Sequence, residues 1–69
     1  MIAQFFTDLR DSGIRVNVFL RSGIKLHGHI LTHDVKERAV ILGDSTGRVL
    51  IFLDAVSTIV AENPEPEQS

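Results

Sequence analysis

The chain has no cysteine, no apolar run long enough to span a bilayer and no excess of positive charge. Without cysteine it can hold neither a disulfide nor a cysteine-based metal site. Without a long apolar run or a signal-peptide pattern at its start, it reads as a cytoplasmic protein with no membrane partner. A formal net charge of −2 argues against a general nucleic-acid binder, because phosphate contacts need clustered cations. Catalytic constellations are missing too. Ser12, Ser22, Ser45 and Ser57 lie in no recognisable nucleophile motif, so neither an enzyme nor a cofactor is expected. At 69 residues the chain is one domain near the lower size limit for folding alone. With disulfides excluded, oligomerisation is the expected support.

Alternation of apolar and polar residues is the dominant pattern. Ile2, Phe5, Phe6 and Leu9 have helical spacing, and Ser12-Gly13 ends that short helix at about residue 11. A first strand is predicted over about 15–21, with Val16, Val18 and Leu20 on one face and Arg15, Asn17, Phe19 and Arg21 on the other. Phe19 thus stands among polar residues, as a stacking platform would. A second strand over about 24–34 contains Gly28, where a sheet bends or lets another backbone approach. Residues 35–38 are a charged interruption. Ala39-Val40-Ile41-Leu42 form a third strand, 43–47 a turn, 48–53 a fourth strand and 56–60 a fifth. The fourth is apolar almost throughout, which implies burial on both sides, one of them by another subunit.

Charge is unevenly distributed. Ala61 to Ser69 holds Glu62, Glu65 and Glu67 and no base; without that segment seven cations face six acids, a balance of +1. The expected organisation is a domain over 1–61 and an acidic, disordered tail over 62–69 carrying Pro64 and Pro66.

Val16 to Ile30, with its Ser22-Gly23 turn, Gly23-Ile24-Lys25-Leu26 and Gly28, together with Asp34 downstream, resembles the first motif of the bacterial Hfq branch of the Sm-like family. Ala55-Val56-Ser57-Thr58-Ile59-Val60 resembles the end of the same domain, and the likeness runs from about Phe5 to Val60. It implies an Sm-like fold, mostly β with one N-terminal helix. Five strands form a strongly bent antiparallel sheet, a small open barrel, joined through the fourth and fifth strands into a homo-hexameric ring. It also implies a partner, single-stranded RNA, and a role as an RNA chaperone.

The resemblance assigns residues to three RNA-binding surfaces. On the distal face, which takes adenine-rich RNA, it places Phe19, Leu20, Ser22, Gly23, Ile24, Lys25, Leu26, His27 and Thr58. Phe19 replaces the usual tyrosine and keeps its stacking face; His27 replaces glutamine. On the rim it places Arg10 and His33, with Asp11 and Gly13 thinning the usual arginine cluster. For the proximal uridine pocket it offers Gln4 and Phe52, but Phe52-Leu53-Asp54 stands where the family has Tyr-Lys-His. Lysine has become leucine and histidine an acid, so uridine binding there is expected to be lost. The aromatic that should follow Asp34 maps to Ala39, across an insertion at Lys36-Glu37.

Other residues have plainer readings. Gly28 and Asp34 are structural, the second as a backbone acceptor beside a bend. His27 and His29 share a strand face, with His33 further on, and could hold a metal, particularly if a ring brought copies together; the plainer reading is polar outward-facing residues. The main alternative function is a ring-shaped module that binds a protein partner and has little RNA affinity.

Overall fold

In the computed structural model, residues 2–62 are described. The tail expected over 62–69 lies outside them except for Glu62, as does the side chain of Ile2. The order is helix α1 (Ile2–Ser12), β1 (Arg15–Leu20), β2 (Lys25–Asp34), β3 (Ala39–Asp44), β4 (Gly47–Phe52), a one-turn 3-10 helix (Leu53–Ala55) and β5 (Val56–Ala61). The strands form one antiparallel sheet in the order β4-β3-β2-β1-β5. This is the helix and five-stranded sheet that the patterning predicts. No helix is long and apolar enough to cross a membrane among the described residues.

Alternation decides which face is buried. Val16 and Val18 are fully enclosed, and with Ile30, Val40, Leu42 and Ile51 they make the core. The amphipathic α1 closes this core with Phe6 and Leu9, three residues apart on one face. Gly13, at φ +70°, then ends the helix. Each large side chain enclosed this way contributes roughly 1.5–3 kcal/mol.

Two features bend the sheet. Gly28 has φ +154°, and a Cβ there would stand 2.6 Å from the Gly43 carbonyl oxygen, so β3 can approach only because that position is bare. The pairing of β2 with β3 then shifts between Ile30 and Thr32. A bulge of this kind changes which side chains face inward. Before it Ile30 faces the core; after it His33 lies on the inward row with Val40 and Ile51.

The β3–β4 connection is tighter than the turn expected over 43–47. Gly43 and Asp44 still pair with Arg48 and Gly47, leaving a two-residue loop, Ser45-Thr46. Asp44 makes this possible, because its Oδ1 accepts from the Thr46 amide (2.8 Å), the Thr46 hydroxyl (2.6 Å) and the Gly47 amide (3.2 Å). Residues 35–38 form the β2–β3 turn. The Asp34 carboxylate accepts from the Glu37 amide at 3.0 Å, and Arg38 takes a left-handed φ of 54°.

Strands β4 and β5 are the sheet edges. On β4 only Ile51 is buried, while Val49, Leu50 and Phe52 are exposed; on β5 Val60 is exposed. The second apolar side of β4 has no cover among the described residues.

Candidate nucleic-acid interface

Opposed residues in antiparallel strands share a face, so register places side chains directly. Phe19 of β1 pairs with Lys25 of β2 on one side and Thr58 of β5 on the other. All three are on the outer face, opposite Val18, and all are exposed, Phe19 by 37%. The Lys25 Nζ stands 6.0 Å from the Phe19 ring centroid. The result is an aromatic face flanked by an ammonium and a hydroxyl. Such a row can stack a base and hold an adjoining phosphate.

The turn above the row is fixed by its backbone. The Leu20 amide donates to the Ile24 carbonyl and the Gly23 amide to the Leu20 carbonyl, both at 2.9 Å. Ser22, Gly23 and Ile24 are left exposed at the tip. Leu20 and Leu26 instead pack against the core and support the row from beneath. His27, opposite Asn17, is exposed on the outer face with its Nδ1 against the Arg15 guanidinium.

Arg21 sits in the same turn and was given no role by the sequence reading. Its backbone amide donates to the Ala55 carbonyl and its Nε to the Asp54 carbonyl, both at 2.8 Å. It thereby ties the 3-10 turn to the loop beside Phe19. A long side chain in a turn carries no sequence signal of a partner 33 residues away.

The opposite end of β4 has another chemistry. Phe52 is 56% exposed and pairs with the buried Ala39. Leu53 packs on the core, and Asp54 extends outward to accept from the Arg38 guanidinium at 3.0 Å. The Arg38 carbonyl also accepts from the Leu53 amide at 2.8 Å, so the 35–38 turn is bonded to the 3-10 turn. Gln4 is exposed on α1 and bonded to Asp8. An open groove between α1 and this end is lined by Phe5, Phe6, His33, Arg38, Leu53 and Val56.

Arg10 and His33, expected at the rim, lie in unlike settings. Arg10 is exposed and paired with Asp11 at 3.2 Å. His33 is half-buried against Phe6, ring centroids 5.3 Å apart, with Nδ1 buried and unbonded among the described residues. Among the described residues no three histidine or acidic side chains converge as a metal site would need. His29 is turned to the Gly13 carbonyl, 3.1 Å from Nδ1.

One carboxylate has a displaced titration. The Thr46 hydroxyl, with the Thr46 and Gly47 amides, holds Asp44 below the usual carboxylate range.

Comparison with known proteins agrees with this fold. The family described as "Hfq protein" matches residues 3–66. The RNA-binding protein Hfq of Geobacillus kaustophilus (strain HTA426) is 39% identical over 59 residues, spanning 86% of this chain and 76% of that protein. A crystal structure of the pleiotropic translational regulator Hfq superposes with a TM-score of 0.77 at 25% identity, over 86% of each chain. An Hfq protein from Anabaena sp. gives 0.75 at 19% identity, over 86% of this chain and 92% of that one, a likeness of fold.

Proposed function

The chain belongs to the Hfq family, and from that premise we propose that it is a cytoplasmic RNA-binding protein acting as a homo-hexameric ring. It binds adenine-rich single-stranded RNA on its distal face and serves in post-transcriptional regulation, as a binding protein and not an enzyme. The observation that carries this reading is the in-register row Lys25–Phe19–Thr58. Bases stack on Phe19, the Lys25 ammonium neutralises phosphate, and the exposed Ser22-Gly23-Ile24 tip supplies backbone groups to base edges. Repetition around a ring makes weak single pockets sufficient.

The ring is supported by the edges. Both β4 and β5 end the sheet with open backbone, and Val49, Leu50, Phe52 and Val60 are exposed beside it. Edges of this kind pair with another chain. The domain closes at about residue 61, and 62–69 is read as an acidic extension.

The proximal uridine site is read as lost. Where cations would face the pore, Leu53 is turned to the core and Asp54 is committed to Arg38. That surface suits a protein partner better than RNA. Salt-sensitive RNA binding that disappears in a Phe19→Ala/Lys25→Ala variant supports the distal reading. RNA-independent co-purification with one protein, with no RNA binding at any salt, favours the interaction module instead.

A further inference from the structure

Register aligns Arg15, His29 and Arg48 across the sheet. Arg15 of β1 pairs with His29 of β2, His29 with Gly43 of β3, and Gly43 with Arg48 of β4. They form one cross-strand row on the same outer face as Phe19, two residues further along each strand than the Asn17–His27 pair. Four strands at their usual spacing make the row at most about 14 Å long. Gly43 contributes no side chain, and Leu31 fills the space above it. The result is an open groove with Leu31 at its floor and a guanidinium at each end, lined by Arg15, His27, His29, Leu31, Asp44 and Arg48. A neighbouring depression shared by His27, Arg48 and Lys25 connects it to the Phe19 row.

The charge of this groove is unusual for the chain. Three of its seven Lys and Arg residues, Arg15, Lys25 and Arg48, stand here although acids outnumber bases overall. Among the described residues the ion pairs are Arg10–Asp11 and Arg38–Asp54, so none of the three is neutralised by a described carboxylate. One acid, Asp44, lines the groove, with its carboxylate engaged by Thr46 and Gly47; a second, Glu62, is nearby and accepts from the Asn17 side-chain amide at 3.1 Å.

The histidines add a chemical signature. A carbonyl only accepts, so His29 Nδ1 carries a hydrogen toward Gly13, and in the neutral ring the lone pair is on Nε2. A guanidinium only donates, so His27 Nδ1 is the acceptor from Arg15 and Nε2–H remains as a donor. A phosphate oxygen satisfies the donor but not the lone pair. A ribose 2′-hydroxyl satisfies either, which DNA does not offer.

We infer that the Arg15–His29–Arg48 row, with His27 beside it, is a second contact for single-stranded RNA that holds the sugar-phosphate backbone of a strand leaving the Phe19 row. The inference rests on the distal reading for its strand and its direction. The test uses the full chain and labelled oligoadenylates, one just long enough for the Phe19 row and one several-fold longer, in ribose and deoxyribose forms across a salt series. The Arg15→Gln/Arg48→Gln variant should bind the short ribo-oligomer as the parent does and the long one at least about tenfold more weakly. Its log–log salt slope for the long strand should fall by about 1.4, near 0.7 for each phosphate contact removed. Arg48→Gln alone, at an exposed site, should give half that change in slope and guards against a folding defect. His29→Phe should reduce the preference for ribose over deoxyribose.

Equal binding of the long strand by parent and double variant, with Phe19→Ala losing it, overturns the groove and leaves the distal site standing. Loss in the double variant with none in Phe19→Ala keeps the groove and removes the stacking row. A parent that binds neither oligomer overturns both.

Discussion

The outer face of β2–β1–β5 and the Phe52-Leu53-Asp54 end of β4 belong to one sheet and carry opposite chemistry. On the first, an exposed aromatic stands between a lysine and a threonine, and further along the sheet's outer face are Arg15 and Arg48, neither ion-paired among the described residues. On the second, an exposed aromatic is followed by a leucine packed on the core and an aspartate held by Arg38. Both place an aromatic in an antiparallel pairing beside an irregularity, a register shift after Phe19 and a 3-10 turn after Phe52. The difference lies in which neighbours can meet a phosphate. A fold fixes where a ligand could lie, and a handful of side chains decides whether it does.

The largest effect should come from breaking the frame that both regions share. Gly28→Ala forces a Cβ to within 2.6 Å of the Gly43 carbonyl and should cost about 2–4 kcal/mol, a large part of a small domain's stability. Chemical denaturation would show it, and both surfaces should fail together. Phe19→Ala should come next, weakening oligoadenylate binding by the roughly 1–3 kcal/mol of one stacked base, while Phe52→Ala leaves it unchanged. Equal losses at the two phenylalanines would erase the contrast between the regions.

Leu53→Lys/Asp54→His tests the contrast from the other side. Returning two cationic or titratable groups to that end, and freeing Arg38 from its ion pair, should create weak, salt-sensitive oligouridylate binding measurable by anisotropy. The smallest effect belongs to the β3–β4 hairpin. Asp44 is held below the usual carboxylate range by Thr46 and Gly47, so the folded state favours its charged form. Its contribution is complete above the ordinary carboxylate range and disappears as pH falls through the lower folded-state value. The stability gap between parent and Asp44→Asn should therefore be constant near neutrality and close at strongly acidic pH. A gap that widened on acidification would contradict the assignment.

Much of this was readable from the sequence because it depends on local alternation. Val16 and Val18 against Arg15, Asn17 and Phe19 fixed one strand and its two faces, and Ser22-Gly23 placed the turn beside it. The break after β4 was readable in Asp54 to within one residue, since the strand ends at Phe52 and the 3-10 turn begins at Leu53. What escaped depends on pairing between distant strands. The shift between Ile30 and Thr32 cannot be read from a run in which several residues suit either face, and it carries His33 inward against Phe6. Arg38 reads as one more charge in a solvated turn until its left-handed backbone aims it at Asp54. The Arg15–His29–Arg48 row was invisible for the same reason, since its members are brought together only by register across four strands.

The central claim is that RNA is held by the Phe19 face and not by the Phe52-Leu53-Asp54 end. Fluorescence anisotropy of the tag-free chain with labelled oligoadenylate and oligouridylate, over a salt series, tests it most directly. The account predicts saturable oligoadenylate binding that weakens with salt, and no oligouridylate binding at the same concentrations. Oligouridylate binding equal to or tighter than oligoadenylate binding would contradict it.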